Sequence, residues 1–360
     1  MAPRTAPRTG ATREDVADVA VLGAGIVGCL IAREIARRAP EASVLLLDRD
    51  QVGGGASLRS AGLHTPRGAT PAVREMTRFS QDYYTDLLRD RPDLPLHPVA
   101  MRVVGTPADE PKLRTDYLPE AELTATEDLP ADVRLPEGSV AWSVRGSHYA
   151  DVAEVTRALT AGLRSTVVVR EAVRVEAVSE GPAGVGLRLG TGEELTAGRV
   201  VLAPGPWLAA PAWRSLLAPV GARVKKVAAL HVGGRPAPGD AAVVFEREDA
   251  FLLPLPERGH WLFSYTCQEW DVDPDEPSTG LTGHDLDGAR EILRRYAPAM
   301  AVDRVSGRVF CDAYSGTGEP VARALGDGRV VFAGAANGSG YRLAPAIAAR
   351  AADLLDLGGS

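Results

Sequence analysis

The sequence predicts an α/β fold in two parts, one built on a mostly parallel sheet and the other on an antiparallel sheet. Three observations support this prediction. Residues 16–50 read as a strand, a helix and a second strand, with a glycine-rich turn before the helix. A second glycine-rich loop, residues 334–340, lies between a strand and a helix near the end of the chain. Between these two units, several apolar segments of strand length lie within residues 222–267, which is typical of an antiparallel sheet.

Composition limits the classes of function. The 360 residues are 45% hydrophobic and carry a formal net charge of −7, so the chain can bury a large core but has no basic excess for nucleic acid. We expect no membrane span, because no apolar run reaches the roughly 18 residues of a membrane helix. Residues 1–15 predict a disordered head. Three scattered cysteines and six single histidines predict no disulfide framework, no metal site and a cytoplasmic location.

The first unit contains the clearest motif of the chain, GAGIVG at residues 23–28, which follows an apolar strand and opens a helix that reaches Arg38. In this pattern Gly23 makes the tight turn, Gly25 lets the backbone approach a pyrophosphate, and Gly28 lets the helix pack closely on the strand. The motif therefore predicts a Rossmann-type unit that binds a dinucleotide.

The same unit supplies an acid and a helix N-terminus for the ligand. Phosphates would lie at the start of the helix, at Ile26 and Val27, where free N–H groups and the helix dipole favour anions. A second apolar strand, residues 43–47, ends on Asp48, which is placed to bind an adenosine ribose. A 2′-phosphate would meet this carboxylate, so NADP is disfavoured. A glycine turn used only for packing would not need the acid.

The segments that follow help to decide between NAD and FAD. After Asp48 the chain continues through a long glycine-rich loop, residues 49–66, where an NAD dehydrogenase would normally return to a third strand. A later apolar strand, residues 198–207, ends in a turn of small residues. The residues of these segments that we expect near the ligand are Arg49, Gly55, Ala56, Ser57, Ala203 and Gly205.

Together, four motifs in order along the chain resemble the FAD-dependent D-amino-acid oxidase superfamily, which includes glycine oxidase, sarcosine oxidase and D-amino-acid dehydrogenase. They are GAGIVG with Asp48, GGGASLRSAGLHTP, VVLAPGPW and VFAGAANGSGYRLAP. The resemblance implies an FAD cofactor and a Rossmann-type FAD-binding domain with an interleaved α+β substrate domain. It also implies oxidation of the C–N bond of an amino acid or secondary amine, with O2 or another compound as electron acceptor.

The resemblance gives the closing loop a role. In this family the second glycine-rich loop brings backbone amides and a helix N-terminus to the isoalloxazine ring, because the reduced ring carries negative charge that N–H donors stabilise. We expect Gly334, Gly338, Ser339 and Gly340 to contact the cofactor, with Ser339 also a candidate helix cap. A glycine-rich helix cap with no ligand is the structural alternative.

The resemblance also divides the chain into two interleaved domains. The FAD-binding domain is expected to comprise residues 16–95, 148–218 and 305–360. The substrate domain is expected to comprise residues 96–147 and 219–304.

Substrate binding calls for a cation, because an α-carboxylate is best held by an arginine. Arg342 is the main candidate, since relatives similar to sarcosine oxidase hold the carboxylate with a basic residue at this spacing. A solvated arginine in the first helical turn is the alternative. Arg59 and His64 lie in the loop that should pass over the flavin; a phosphate or surface role for Arg59 and a structural role for His64 are equally open.

The segment before Pro320 departs from the family pattern. Relatives related to D-amino-acid oxidase place a carboxylate-binding arginine eight residues before this proline, and here the position is Asp312, with Tyr314 two residues later. The substrate could lack an ordinary carboxylate grip, Arg342 could hold it alone, or Asp312 could attract a cationic amine. A buried carboxylate with a raised pKa could also transfer a proton.

Cys311 falls where sarcosine oxidase and its close relatives bond covalently to the flavin. A covalent 8α-S-cysteinyl FAD is one hypothesis, and a buried cysteine acting as a small apolar residue is the other.

The electron acceptor and the reaction class leave alternatives. Some relatives activate oxygen with a lysine above the flavin, and residues 261–265 contain none; Lys225 and Lys226 lie in an earlier strand and could be surface residues. An FAD enzyme that oxidises a 2-hydroxy acid, a non-catalytic FAD-binding subunit and an NAD-dependent dehydrogenase are the rival functions.

Overall fold

A computed structural model describes residues 16–275, 280–300 and 306–357. The disordered head expected at residues 1–15 lies outside the described residues. The helices of the described ranges are α1 (Ile26–Arg38), α2 (Ala56–Arg59), α3 (Pro71–Asp90), α4 (Glu110–Asp116), α5 (Val152–Ala161), α6 (Arg214–Leu217), α7 (Gly283–Tyr296) and α8 (Gly340–Leu354).

The strands of the same ranges are β1 (Val16–Leu22), β2 (Val44–Leu47), β3 (Leu96–Pro98), β4 (Met101–Gly105), β5 (Thr124–Thr126), β6 (Val140–Val144), β7 (His148–Ala150), β8 (Val167–Arg170), β9 (Val175–Gly181), β10 (Gly184–Leu189), β11 (Glu194–Leu202), β12 (Arg223–Val232), β13 (Ala242–Phe245), β14 (Ala250–Leu255), β15 (His260–Tyr265), β16 (Ser306–Tyr314), β17 (Val321–Leu325) and β18 (Val330–Gly334).

The first sheet is the parallel sheet that the opening motif predicts. Its order is β17-β18-β11-β1-β2-β8, with β10 and β9 extending from β11. The pairs that β1 forms with β11 and β2 are parallel, as are the pairs β2–β8 and β11–β18. The central strands are apolar and buried toward their carboxyl ends, because helices cover one face of the sheet and residues of β9 and β10 pack against the other. The β1-α1-β2 unit is therefore confirmed.

The second sheet has the order β16-β12-β15-β14-β13-β4-β6-β5. All of its pairs are antiparallel except β13 with β4. Helix α7 packs against this sheet through Ala289 and Leu293, which are buried with Phe263 and Leu230. The fold class of a Rossmann-type domain interleaved with an α+β part on an antiparallel sheet is thus confirmed.

Strand β16 belongs to the sheet of the expected substrate domain, not to that of the expected FAD-binding domain. Residues 305–360 were assigned to the FAD-binding domain, but β16 pairs along its whole length with β12 of the second sheet. Each of residues 306–314 has a register partner in β12, so this strand belongs to the antiparallel sheet. We propose the same two-part division with this boundary moved to the end of β16.

Helix α8 links the closing loop to the opening unit. It packs against both α1 and α3, and its residues Leu343, Ala344 and Ile347 are buried. The closing loop before α8 is thereby held close to the start of α1. Separately, none of the helices among the described residues is both long and apolar enough to cross a bilayer.

Candidate active site

The turn between β1 and α1 can hold only glycine at two positions. Gly23 has φ +108°, and a Cβ there would lie 2.3 Å from the carbonyl oxygen of Ala203. A Cβ at Gly28 would lie 1.8 Å from the carbonyl oxygen of Gly23. At Gly25 the nearest atom would be Ser57 Oγ at 3.3 Å. The turn is therefore closed tightly by its own backbone and by the end of β11, which leaves the helix N-terminus open to a ligand.

The amides at this N-terminus are only partly satisfied. Ile26 N donates to Ser57 Oγ at 3.0 Å, and Ala24 N donates to Asp48 Oδ2 at 2.6 Å. Within the described ranges, the amides of Gly25 and Val27 have no acceptor. Unpaired N–H groups at a helix N-terminus form a site for a phosphate. The residues present thus fit the pyrophosphate of a dinucleotide.

Asp48 stands at the end of β2, as the motif predicts. It accepts a second hydrogen bond from Asp50 N at 2.8 Å. Burial raises the pKa of Asp48, although the two backbone donors partly offset this effect. Its carboxylate is half-buried beside the turn, in the position from which a ribose hydroxyl can be bound.

A stacked group of side chains borders the same end of the sheet. The Arg49 guanidinium lies 4.2 Å from the centre of the Trp207 ring. Asp275 forms an ion pair with Arg49 and accepts a hydrogen bond from Trp207 Nε1 at 2.8 Å. Gly55, before α2, has no side chain because a Cβ would lie 3.2 Å from the same ring. This places Arg49, Gly55, Ala56 and Ser57 around the start of α1, and the turn at Gly205 lies next to Trp207.

The closing loop has an unusual backbone. Ala335, Asn337 and Gly338 have φ of +49°, +54° and +75°, in the left-handed region that side chains disfavour. Asn337 is held there because its Oδ1 accepts from Ser315 N at 3.0 Å. Strained backbone of this kind is maintained where it orients groups for function.

Two of the three backbone amides expected to contact the cofactor, those of Gly338 and Gly340, are free in the described part of the chain, and that of Ser339 is not. No acceptor binds the amides of Gly338 and Gly340 among the described residues, whereas Ser339 N donates to Ala336 O at 2.9 Å. The Ser339 side chain does not cap α8, because its Oγ accepts from Arg342 Nη2 at 2.8 Å. The expected helix cap at Ser339 is therefore wrong. Gly334 lies at the end of β18, where the loop begins.

Arg342 is a half-buried cation held by neutral acceptors. Its Nη1 donates to Thr77 Oγ1 at 3.0 Å and to the carbonyl oxygen of Arg67. No carboxylate pairs with it in the parts of the chain that are described. Burial, together with the nearby charge of Arg67, lowers the pKa of Arg342 to about 10. A guanidinium without an ionic partner can bind an anionic group of a ligand.

His64 belongs to a buried aromatic cluster. It is 0% exposed, its Nε2 bonds Gln81 Oε1 at 2.8 Å, and its ring stacks on His148 at 4.6 Å. His148 Nε2 bonds Tyr341 Oη at 2.9 Å, and burial lowers the pKa of His148 to about 4. This geometry matches the structural alternative for His64. The cluster contacts Tyr341, in the first turn of α8 just after the closing loop. Tyr84 also belongs to it and donates a hydrogen bond to Tyr341 O at 2.6 Å.

Arg59, the last residue of α2, is exposed. It makes no ion pair or hydrogen bond within the residues that the structure describes. Its position allows either a surface role or contact with a ligand.

Asp312 and Tyr314 lie on one face of β16, because alternate residues of a strand share a face. Burial raises the pKa of Asp312 to about 6, and no described residue makes a hydrogen bond or ion pair with its carboxylate. Tyr314 Oη reaches the closing loop, 3.2 Å from where a Cβ at Gly338 would lie. The strand therefore brings a free carboxyl group next to the loop.

Lys225 faces Asp312 from β12. The lysine is 5% exposed, and its ammonium lies 4.9 Å from the Trp270 ring centre and 5.0 Å from that of Tyr314. Burial lowers the pKa of Lys225. A surface position for this lysine is therefore wrong.

Lys226 and Cys311 occupy the opposite face of the same two strands. Lys226 is 1% exposed, so a surface position is wrong here too, and its Nζ donates to Glu269 at 2.8 Å and to Asp285 at 3.0 Å. Cys311 is paired with Lys226 across the strands, and burial raises the pKa of its thiol to about 11. Cys267, Glu269 and Asp285 are close enough together to hold a cation, but the Lys226 ammonium already bonds both carboxylates.

Sequence reasoning missed the partners that position these residues. Trp207 was read only as the end of a strand, and His148 and Tyr84 were not singled out. A signal was present for Trp207, since a tryptophan directly after a small-residue turn can cover the glycine loop facing it. No local pattern marks His148 or Tyr84, because only the tertiary fold brings them to His64.

Comparisons with known proteins agree with this fold. No curated protein matches the sequence significantly. Among solved structures, glycine oxidase from Geobacillus kaustophilus is 17% identical over 96% of each chain, with a TM-score of 0.79. L-Proline dehydrogenase from P. horikoshii is 16% identical over 96% of this chain and 95% of the other, with a TM-score of 0.79.

A third structure was solved with the cofactor in place. It is L-α-glycerophosphate oxidase from Mycoplasma pneumoniae with FAD bound, 16% identical over 95% of each chain, with a TM-score of 0.79. At these identities the likeness shows the fold alone. The model of the FAD-dependent oxidoreductase family DAO matches residues 18–354. The chain therefore belongs to the family of FAD-dependent oxidoreductases, and its cofactor is FAD.

Proposed function

We propose that this enzyme oxidises the C–N bond of an amino acid or a secondary amine. The observation that carries the proposal is a pair of charged groups near the closing loop that have no ionic partner among the described residues: the Arg342 guanidinium and the Asp312 carboxyl group. One suits a substrate carboxylate and the other a substrate amine. When bound, FAD accepts a hydride from the carbon next to the nitrogen, and the resulting imine hydrolyses in water.

Arg342 is proposed to hold the substrate carboxylate. Three of its contacts go to Arg67 O, Thr77 Oγ1 and Ser339 Oγ, which fix the guanidinium but do not neutralise it. A buried arginine with neutral partners binds an anion more strongly than a solvated one, because the local dielectric is low. Arg59, the exposed last residue of α2, is proposed as a second cation for the substrate.

Asp312 is proposed to attract the substrate amine. Above a pH of about 6 its carboxyl group is ionised, and it then favours an ammonium group at the same place. This assignment explains why an acid can stand where related oxidases have an arginine. Tyr314, on the same face of β16, is proposed to line the substrate site between Asp312 and the closing loop. His64 is buried and bonded to Gln81, so we propose only a positioning role for it.

The cofactor contacts follow from the turn and the two loops. We propose that the N–H groups of Gly25, Val27 and Gly28 hold the pyrophosphate, Asp48 the ribose, and Gly338 and Gly340 the isoalloxazine. Cys311 is a candidate for covalent attachment only if its thiol loses the proton that its raised pKa retains at neutral pH.

The names of the similar structures support amine oxidation without fixing the substrate. Glycine oxidase and L-proline dehydrogenase act on C–N bonds, and one is an oxidase while the other is a dehydrogenase. L-α-Glycerophosphate oxidase instead acts on an alcohol, so oxidation of a C–OH bond is the second candidate. We propose O2 or another small compound as the electron acceptor.

The test is an anaerobic absorbance spectrum of the purified protein before and after addition of single compounds. The panel contains D- and L-amino acids, N-methyl amino acids, cyclic imino acids and 2-hydroxy acids. Bleaching of the flavin bands by an amine, with release of ammonia or amine, supports the proposal. Bleaching by 2-hydroxy acids alone supports the second candidate, and a bound flavin that nothing in the panel bleaches would favour a non-catalytic subunit.

A further inference from the structure

The hydroxyl group of Tyr117 is buried without a hydrogen-bond partner. Tyr117 is 3% exposed, and its Oη makes no hydrogen bond within the described ranges. The residue lies directly after α4, in the expected substrate domain. Burial raises the pKa of Tyr117 well above its ordinary value, so the hydroxyl keeps its proton. A buried donor without an acceptor costs free energy, which a ligand that accepts its hydrogen bond would recover.

The backbone places Tyr117 beside Arg67. The two residues form an isolated antiparallel bridge, and the backbone hydrogen bonds on either side of it are both 2.9 Å long. In a pair with this pattern the Cα atoms are about 4.5 Å apart and the side chains lie close together. The Arg67 guanidinium accordingly lies 5.7 Å from the centre of the Tyr117 ring.

Arg67 also connects Tyr117 to the proposed substrate anchor, Arg342. The carbonyl oxygen of Arg67 accepts a hydrogen bond from Arg342 Nη1, so Arg342 reaches this segment from the first turn of α8. Burial is the main cause of the raised pKa of Tyr117, and the charges of Arg67 and Arg342 both act against it. Tyr117 in turn acts on the pKa of Arg342. The phenol and the Arg342 guanidinium are therefore neighbours across Arg67.

The charges at this place leave one cation without a carboxylate. Arg67 donates to both carboxylate oxygens of Glu246 at 2.7 Å each, and to Asp116 at 3.1 Å. Lys112 also pairs with Asp116, at 2.5 Å. Together with Arg342, three cations thus meet two carboxylates. No carboxylate of the described residues is among the groups that shift the pKa of Arg342.

We propose that Tyr117 is a substrate-binding residue, which donates a hydrogen bond to the same carboxylate that Arg342 binds. A carboxylate has two oxygens, so one can accept from the guanidinium while the other accepts from the phenol. The substrate would thereby satisfy the two groups at once, one from α8 and one from the segment after α4. This inference rests on the role of Arg342 in the proposed function.

The test is the binding of propionate, an unreactive carboxylate, to the FAD-loaded enzyme by isothermal titration calorimetry. We expect Tyr117→Phe to weaken binding by roughly tenfold or more, because a hydrogen bond to a charged acceptor is lost. Arg342→Gln should also weaken it. Tyr149→Phe is the matched control and should bind propionate as the wild type does, since Tyr149 lines a different cavity, with Glu257 and Arg258.

Thermal unfolding separates binding from a structural role of the phenol. Without propionate, Tyr117→Phe should unfold at the same temperature as the wild type or at a higher one, because the substitution removes an unsatisfied buried hydroxyl. With propionate, the wild type should gain more stability than the variant, since a ligand stabilises a protein according to its affinity. An equal gain in the two proteins would contradict the proposal.

The outcomes distinguish this inference from the proposed function. Equal propionate affinity in the wild type and Tyr117→Phe, with weaker binding in Arg342→Gln, would overturn the role of Tyr117 and leave the Arg342 anchor standing. Unchanged affinity in Arg342→Gln, or no binding by the wild type, would overturn both. Weaker binding in Tyr117→Phe, in an enzyme whose flavin no amine bleaches, would support the carboxylate site and count against the proposed reaction.

Discussion

Lys225 and Asp312 are paired directly across strands β12 and β16, yet no ion pair joins their side chains in the described part of the chain. The lysine ammonium instead lies between the rings of Trp270 and Tyr314. Cation–π contacts of this kind stabilise a cation without neutralising it. The carboxyl group of Asp312 is consequently left free for a ligand.

This free carboxyl group predicts a pH dependence. The pKa of Asp312 is about 6, so its charge is present above that pH and lost below it. If the carboxylate attracts a substrate ammonium, the second-order rate constant for flavin reduction should rise as pH increases through about 6. Stopped-flow reduction under anaerobic conditions, from about pH 5 to pH 9, measures this limb.

The matching variant is Asp312→Asn, which should remove the limb and lower the rate constant by roughly 10- to 100-fold. Asp287→Asn, on the exposed face of α7, serves as the control and should keep the wild-type profile. A limb near pH 6 that persists in Asp312→Asn would assign it to another group.

Arg342 predicts a specific dependence on the substrate carboxylate. Arg342→Gln should raise the KM for a carboxylate-bearing amine by roughly 100-fold, because one charge-assisted hydrogen-bonded pair is lost. An amine that lacks the carboxylate but still reduces the flavin should show no such change. Steady-state kinetics with the two substrates separates loss of the anchor from damage to the loop, which would slow both equally.

The sequence predicted the parts of the molecule that depend on local pattern. The turn at Gly23, the strand ending on Asp48 and the closing loop were recognisable because glycine spacing and hydrophobic periodicity report backbone geometry directly. The burial of Lys225 and Lys226 could not be predicted, since a lysine in a strand is usually exposed and only α7 and Trp270 cover these two. The partner of Ser339 was missed for a similar reason. Its hydroxyl binds Arg342 one helical turn later, although the serine has the position of a cap.

The glycine turn predicts loss of the cofactor on substitution. Gly23→Ala should purify without flavin, because its Cβ would lie 2.3 Å from Ala203 O and its φ of +108° disfavours any side chain. Gly192→Ala isolates the second effect, since Gly192 has φ +85° but no atom within 4 Å of its Cβ. The ratio of flavin to protein absorbance in the two purified variants is the measurement. Equal flavin content in both would show that the close contact at Gly23 is not needed for binding.

The state of Cys311 predicts how FAD is attached. The thiol is buried, and its pKa of about 11 keeps it protonated at neutral pH, which disfavours reaction at the flavin ring. We therefore expect acid precipitation to release the yellow colour into the supernatant. A coloured pellet that becomes colourless in Cys311→Ala would instead establish the covalent bond.

The buried ion pair between Lys226 and Asp285 predicts a large loss of stability when the lysine is replaced. The side chains of Lys226 and Asp285 are both 0% exposed and 3.0 Å apart. Burial alone would lower the pKa of Lys226, but its hydrogen bonds to Glu269 and Asp285 outweigh burial and raise it. Lys226→Met should reduce the free energy of unfolding by about 3 kcal/mol, because it leaves the Asp285 carboxylate buried and unpaired.

Two further variants separate that cause from simple loss of packing. Lys226→Met combined with Asp285→Asn should recover part of the loss, since no uncompensated charge is then buried and the amide oxygen can still accept from Thr282. Arg290→Met removes an exposed ion pair on the same helix and should change the free energy of unfolding by less than about 0.5 kcal/mol. Urea denaturation of the FAD-loaded variants measures all three. If the double variant is less stable than Lys226→Met, the lysine contributes through packing rather than through its charge.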